Sequence, residues 1–328
     1  MPNILITNVC YRACTFCFAR QRLGDSAQDG STIHMSVDNI RYVMDFLERS
    51  QDRNLRLLGG EPTQHPQFVE IVKEALERKF HIHIFTNGMM TRQIADFLGG
   101  LTEDQFSALC NVSPQATLTE AQKGDVEYFL SKLGKKGHLG ITVTSEDIQY
   151  EYLIDTIERH HLGRQIRVGI AQPIVGVSND YLPVEKYKTV GTAILAMARN
   201  LVKRDITIGF DCGMTLCMFS EEELGGIMTS TQGFTSICKP VIDVGPNLDV
   251  WNCFPLSEVQ NTRLDQFVTI KEIDEFYTKQ LLPYKRFGCM PECMDCGYLR
   301  RGQCSGGCVA HTMLSFNRIP PKHAIIRD

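Results

Sequence analysis

The sequence predicts an α/β protein: a partial barrel of parallel strands, then a small cysteine-rich domain built on a β-hairpin. Three observations predict it. Six apolar, β-rich runs alternate with helical runs between residues 3 and 203, the pattern of a parallel sheet with helical crossovers. That alternation stops at Asp211-Cys212. Cysteines then accumulate: of thirteen, three lie at 10–17, one at 110 and nine between 212 and 308. A chain of 328 residues is long enough for about two domains, placed here at 1–211 and 212–328.

Each element has its own signal. Residues 3–8 (NILITN) read as strand one, with the cysteine loop at its C-terminal end, where α/β barrels carry active-site loops. Residues 36–49 put Ile40, Val43, Met44 and Leu47 on one helical face behind a Ser36 N-cap. Strand two is 54–58, closing on Gly59-Gly60-Glu61-Pro62, and a helix covers 66–78. Strand three (80–86) closes on Asn87-Gly88 and is followed by a helix at 90–98. Strand four (106–112) ends at Ser113-Pro114, with a helix at 118–133. Strand five is 138–144 with a helix at 147–160, and strand six is 165–171 with a long helix at 184–203. A further strand, 205–210, extends the sheet. Residues 239–252 read as a hairpin around Gly245-Pro246-Asn247. Residues 269–284 are helical; the tail 309–328 is less informative, with Pro320-Pro321 in it reading as a loop.

Composition excludes several function classes. A net charge of −4 leaves no basic footprint for nucleic acid. No apolar run approaches the roughly 20 residues needed to span a bilayer, and the N-terminus carries no secretory signature. The expectation is a cytoplasmic protein without nucleic-acid or membrane partners. In that compartment thirteen cysteines point to metal ligation before disulfides.

The first cysteines, Cys10, Cys14 and Cys17, are spaced C-x3-C-x2-C. Three thiolates can hold three irons of a cubane [4Fe–4S] cluster and leave the fourth iron open, whereas an ordinary electron-transfer cluster or structural zinc site takes four ligands. A zinc site with a distant fourth ligand is the competing reading. The two glycines after strand two let backbone approach a ligand closely. Cys110 sits in an apolar strand and reads as a small buried hydrophobe. His81, His83, His160 and His161 read as packing, surface or helix-end residues. No dinucleotide fingerprint and no P-loop is present.

Cys10-Cys14-Cys17 with Phe16 before the third cysteine, the Gly59-Gly60-Glu61-Pro62 turn, and the C-terminal cysteine array together resemble the radical S-adenosylmethionine (SAM) superfamily. More narrowly, they resemble its SPASM branch of peptide- and protein-maturing enzymes. The resemblance covers nearly the whole chain and implies a partial (β/α)6 TIM-like barrel followed by a SPASM domain. It implies a [4Fe–4S] cluster on Cys10, Cys14 and Cys17 that binds SAM, and a 5′-deoxyadenosyl radical that takes hydrogen from a substrate carbon. It places the SAM methionine on Gly59, Gly60, Glu61 and Pro62, with further polar contacts from Asn111, Ser113, Thr144 and Gln172. The Arg that the family often carries after strand four has no counterpart, the nearest basic residue being Lys123.

The same resemblance implies two auxiliary [4Fe–4S] clusters. Cys238-x14-Cys253 matches the hairpin pair, and Cys293-x2-Cys296-x7-Cys304-x3-Cys308 matches the array with two extra residues in its middle gap. One cluster would use Cys238, Cys253, Cys308 and Cys217 (or Cys212). The other would use Cys293, Cys296, Cys304 and Cys289. A zinc ribbon at 289–308 competes with this second assignment. Leu248 stands where the family has a hairpin glycine, and Phe254 where sulfatase-maturing members have a proton-accepting Asp. With nine residues before Cys10, a peptide substrate would need a separate recognition protein or direct capture by the C-terminal domain. The expected partners are a peptide, protein or small-molecule substrate and a reductant such as a flavodoxin or ferredoxin. A dehydrogenase or rearrangement enzyme for small molecules stays in play. A non-enzymatic Fe–S or zinc scaffold is disfavoured, because a carrier needs no open iron.

Overall fold

A computed structural model of the chain describes residues 1–23, 33–112, 117–239 and 241–315. One ten-stranded sheet runs in the order β10-β9-β8-β1-β2-β3-β4-β5-β6-β7. Strands β1 (Asn3–Thr7), β2 (Asn54–Gly59), β3 (His81–Thr86), β4 (Phe106–Cys110), β5 (Gly137–Val143), β6 (Gln165–Ile170) and β7 (Thr207–Phe210) are consecutive neighbours. Every one of those pairings is parallel. The seventh strand continues the six expected from alternation.

The crossovers are helices α1 (Val37–Arg49), α2 (Phe68–Glu77), α3 (Arg92–Gly99), α4 (Glu120–Leu133), α5 (Glu151–His160) and α6 (Tyr187–Val202). Their ends follow the chemistry of their caps. The Ser36 side chain accepts from the Asn39 N–H, and Thr91 from Ile94. Thr119 and Gln122 form a reciprocal capping box on α4. On α1, Ile40, Val43, Met44 and Leu47 are all buried. They pack with the helix-facing side chains of the sheet, including Ile4, Leu57, Ile82, Ile84 and Val168, in the main core.

β1 is buried along its whole length, because strands flank it on both sides. On one side is β2; on the other is β8 (Asp243–Val244), also parallel to it. β8 turns through Gly245-Pro246-Asn247 into antiparallel β9 (Asp249–Trp251), and β9 pairs with β10 (Asn261–Arg263). The C-terminal hairpin therefore shares the barrel's sheet. At the turn Leu248 has φ +63°, a left-handed conformation that glycine adopts without steric cost.

Some elements were not anticipated. Helix α7 (Glu221–Ser230) follows β7, where the strand–helix alternation was expected to stop. The tail begins with helix α10 (Val309–Ser315), while Pro320 and Pro321, where a loop was expected, lie outside the described residues. Between them, α8 (Ile270–Lys285) matches the expected helix, and a short helix α9 (Gly297–Arg300) lies within the cysteine array. Among the described residues no helix is long and apolar enough to cross a membrane.

Candidate active site

The cysteine loop leaves β1 at its C-terminal end and is seated directly on the turn after β2. The Gly60 N–H donates to the Thr7 carbonyl at 2.8 Å, and the Glu61 N–H to the Val9 carbonyl at 2.7 Å. A Cβ at Gly60 would lie 2.4 Å from the Val9 oxygen and 2.6 Å from the Cys10 Cβ, and one at Gly59 2.7 Å from the Thr7 oxygen. Both glycines are thus required by close packing. Cys10, Cys14 and Cys17 are all partly buried on this loop. Burial pushes the Cys10 thiol up and the Cys17 thiol up to about 11, with smaller contributions from neighbouring cysteines. Ligation must therefore release protons.

Glu61 faces inward, away from the loop surface. The residue is 1% exposed. It accepts from the Thr63 and Thr86 hydroxyls, each at 2.9 Å, and from the Asn87 N–H at 2.8 Å. Burial nonetheless pushes its pKa up to about 7. Pro62 is buried and begins a single helical turn. Within the Gly-Gly-Glu-Pro motif the glycines touch the cysteine loop, while Glu61 ties β2 to the end of β3.

Asn111, at the end of β4, and Thr144, at the end of β5, line one cavity of about 230 Å³ together with Phe16 of the cysteine loop and Tyr152 of α5. Gly140 is part of its wall: a Cβ there would lie 2.6 Å from the Asn111 Oδ1. Ser113 lies outside the described residues. Gln172 is placed elsewhere, in a second cavity lined by Cys212, Cys238, Cys253 and Cys308.

That second cavity separates the C-terminal thiols into two groups. Burial pushes the Cys253 thiol far up, and Cys308, Cys238 and Cys212 add to it in that order. The Cys308 thiol is pushed up to about 12 by burial, with Cys238 next. The other group gathers Cys217, Cys289, Cys293 and Cys304. Burial raises the Cys217 thiol, and Cys293 and Cys304 push it further. Cys289 bonds to Cys293, which holds Cys293 low and Cys289 high. Cys217 thus falls with the second group, and Cys212 completes the first. Cys296 follows at the next turn, half-buried, its N–H donating to the Cys293 carbonyl at 3.2 Å. Among the described residues no three His, Cys, Asp or Glu side chains converge closely enough to hold a single metal ion.

The donor chemistry suits iron–sulfur clusters, which take thiolates on separate irons. Unpaired polar groups beside the first thiol group fit the same picture. Gln172 Oε1 and Nε2, Tyr187 Oη, Asn252 Oδ1 and His311 Nε2 are buried without an aligned hydrogen-bond partner. Buried polar groups are ordinarily satisfied, and the donors among them are suited to sulfur acceptors. The remaining sequence candidates behave as packing residues. His81 Nε2 and His83 Nδ1 each bond the Ser107 hydroxyl at 2.8 Å, His160 pairs with Glu127 at 2.7 Å, and Cys110 is fully buried.

Comparison with known proteins agrees with this geometry. Residues 4–117 match the family model described as the Radical SAM superfamily. A tungsten-containing aldehyde ferredoxin oxidoreductase cofactor-modifying protein of Pyrococcus furiosus is 32% identical over 114 residues, 34% of this chain and 30% of that protein. An S-adenosylmethionine-dependent nucleotide dehydratase of a Fibrobacter species is 31% identical over 124 residues, 34% of this chain and 35% of that protein. The matched stretch thus spans about a third of these curated relatives. Among solved structures, Streptococcus suis SuiB bound to S-adenosylmethionine superposes with a TM-score of 0.66 at 14% identity, covering 98% of this chain and 75% of SuiB. SuiB bound to its precursor peptide SuiA gives 0.65 at 15% identity, covering 98% and 73%. The shared fold therefore extends through the cysteine-rich C-terminal region.

Proposed function

From the match of residues 4–117 to the Radical SAM superfamily model, we propose that the chain is a radical SAM maturase that oxidises or cross-links a peptide or protein. When bound, the cluster and SAM supply a 5′-deoxyadenosyl radical that abstracts hydrogen from a substrate carbon; the protein orients them and excludes water. Cys10, Cys14 and Cys17 would hold the SAM-binding [4Fe–4S] cluster. Gly59 and Gly60 let the loop sit tightly on β2, and the cavity of Phe16, Asn111 and Thr144 would receive the nucleoside part of SAM. Cys212, Cys238, Cys253 and Cys308 would hold one auxiliary cluster. Cys289, Cys293 and Cys304 would hold the other, with Cys217 or Cys296 as fourth ligand. These clusters would accept the electron that oxidation releases, and a flavodoxin- or ferredoxin-type protein would supply the reducing electron.

The observation that carries the peptide reading is the fold likeness to SuiB over 98% of the chain, SuiB being a protein solved with its precursor peptide. The similarity to a nucleotide dehydratase supports the alternative, a small-molecule dehydrogenase or rearrangement enzyme. Anaerobic reconstitution should give about 12 irons, four per cluster. Reduction in the presence of SAM should release 5′-deoxyadenosine. Absence of that product would remove the enzyme assignment. A candidate peptide should lose two hydrogens by mass; turnover of a nucleotide instead would favour the alternative.

A further inference from the structure

The bonds that pack His81 and His83 also fix where each ring carries its hydrogen. The Asp104 carbonyl, which can only accept, lies 3.0 Å from His81 Nδ1, so that nitrogen is protonated. In the neutral ring Nε2 is then bare, and it accepts from the Ser107 hydroxyl at 2.8 Å. With its hydrogen committed there, Ser107 Oγ accepts from His83 Nδ1, also at 2.8 Å. Ser107 on β4 is in register with His83 on β3, which is why one hydroxyl reaches both rings. His83 Nε2 is left as a lone pair with no hydrogen-bond partner among the described residues. Three side chains thus form one directed chain, and a single backbone carbonyl sets its direction.

The chain joins two environments. At its outer end His81 is half-buried and Asp104 exposed. Asn54, itself bonded to Asp52, is in register with His81 on β2. At its inner end His83 lines a cavity of about 630 Å³ with Leu109, His138 and Arg167, a volume in the range of ordinary ligand sites. One side chain parts this cavity from the one that holds Asn111 and Thr144: Leu109 Cδ1 is 3.4 Å from the Cβ position of Gly140, in the wall of the latter. The charged and titratable groups facing His83 are Arg56 on β2, Arg167 on β6 and His138 on β5. Beyond them Asp211 pairs with Arg167, and the Asp243 carboxylate of β8 is held by Asn3 of β1. Burial first, then Arg56 and Arg167, push the His83 pKa down to about 3. A positive charge is therefore disfavoured at the inner end of the chain.

We propose that His83 takes a proton from a hydroxyl or amide group of the substrate bound in this cavity, and that Ser107 and His81 relay it to the surface. His83 Nε2 gains the proton, Nδ1 passes its own to Ser107 Oγ, and the Ser107 hydroxyl passes its own to His81 Nε2. Both Ser107 bonds reverse, and the charge arrives on His81. The relay rests on the maturase reading for its place in a reaction. Removing two hydrogens from a peptide as one atom, one electron and one proton leaves the proton to be exported, here at the end of the sheet opposite the cysteine loop. The relay itself is measurable without turnover. Nitrogen NMR of the reconstituted, oxidised protein with isotope-labelled histidine reports which ring nitrogens carry hydrogen, and would be followed between about pH 8 and 5, where histidines change charge. At the upper limit both rings should hold hydrogen on Nδ1. As His81 takes its second proton, His83 should move its hydrogen to Nε2 and stay neutral, with one shared midpoint. Ser107→Ala should leave His81 titrating and His83 fixed, while Ser107→Thr keeps the coupling. If Ser107→Ala does not fold, His81→Gln should likewise hold His83 fixed. A wild-type His83 that keeps its Nδ1 hydrogen throughout, or becomes a cation, overturns the relay, and so does a switch that survives Ser107→Ala. On a peptide that loses two hydrogens, Ser107→Ala should slow that loss by about a hundredfold, the lower range of acid–base contributions, while 5′-deoxyadenosine is still released. An equal rate overturns the role in the reaction. Absence of SAM cleavage would leave the nitrogen shifts untouched, so the two readings fail separately.

Discussion

A Cβ at Gly60 would stand 2.6 Å from the Cβ of Cys10. The turn after β2 and the first cysteine are therefore in contact at a distance only glycine permits. Gly60→Ala should unseat the cysteine loop. Reconstituted iron should fall by about four atoms, and release of 5′-deoxyadenosine should be lost. Gly124, on the exposed face of α4, has no atom of another element within 4 Å of its added Cβ. Gly124→Ala should leave iron unchanged and stabilise the protein by about 0.5–1 kcal/mol. Iron analysis and denaturant unfolding of both variants check this contrast.

Glu61 gives the metal-free protein a pH-dependent stability. Its pKa rises from an ordinary 4.5 to about 7 on folding, so between these values the folded state holds a proton that the unfolded state has released. The resulting stabilisation is complete below pH 4.5 and is lost as pH rises through about 7. It amounts to about 3 kcal/mol. Glu61→Gln should flatten this slope in urea unfolding between pH 4.5 and 8. It should also start less stable, because an amide –NH2 cannot accept from the Asn87 N–H.

The cavity of Asn111 and Thr144 owes part of its width to Gly140. Gly140→Val should fill it and weaken SAM binding by about tenfold or more, roughly 1.4 kcal/mol or above. Calorimetric titration with SAM tests this, and unchanged affinity would move the nucleoside site elsewhere.

Cys212 and Cys217 are five residues apart in sequence, yet they face different thiol groups. Cys212→Ala should therefore mimic Cys253→Ala in its residual iron and paramagnetic resonance spectrum. Cys217→Ala should resemble Cys304→Ala. Identical spectra for the Cys212 and Cys217 variants would contradict the division.

Most of the barrel was legible because each strand–helix unit carries its own period and caps. Ser36, the buried face Ile40-Val43-Met44-Leu47 and the alternation of β3 all act locally. Helix α7 has a signal too: Ser220 and Glu223 form a reciprocal capping box. Two features were not local. Gln172 ends a strand as Asn111 and Thr144 do, but the sheet carries it toward Cys212 and Cys308. Arg56 and Arg167 are 111 residues apart and reach the one ring of Phe85 only because β2 and β6 face one interior. The hairpin residue Leu248 carries the same lesson: its departure from glycine was visible, while its positive φ required the fold.

The pairing of β1 with β8 has a consequence for synthesis. Asn3 donates its backbone N–H to Ile242 and its side-chain amide to Asp243, 240 positions later. As the chain leaves the ribosome, β1 and its cysteine loop emerge 240 positions ahead of Asp243. One border of that strand then stays unpaired until β8 has been made. An open strand border invites pairing with another chain, and such long-range closure is slow. Closure of β1 therefore depends on a distant segment, the hairpin between Cys238 and Cys253, made long after the strand that it shields.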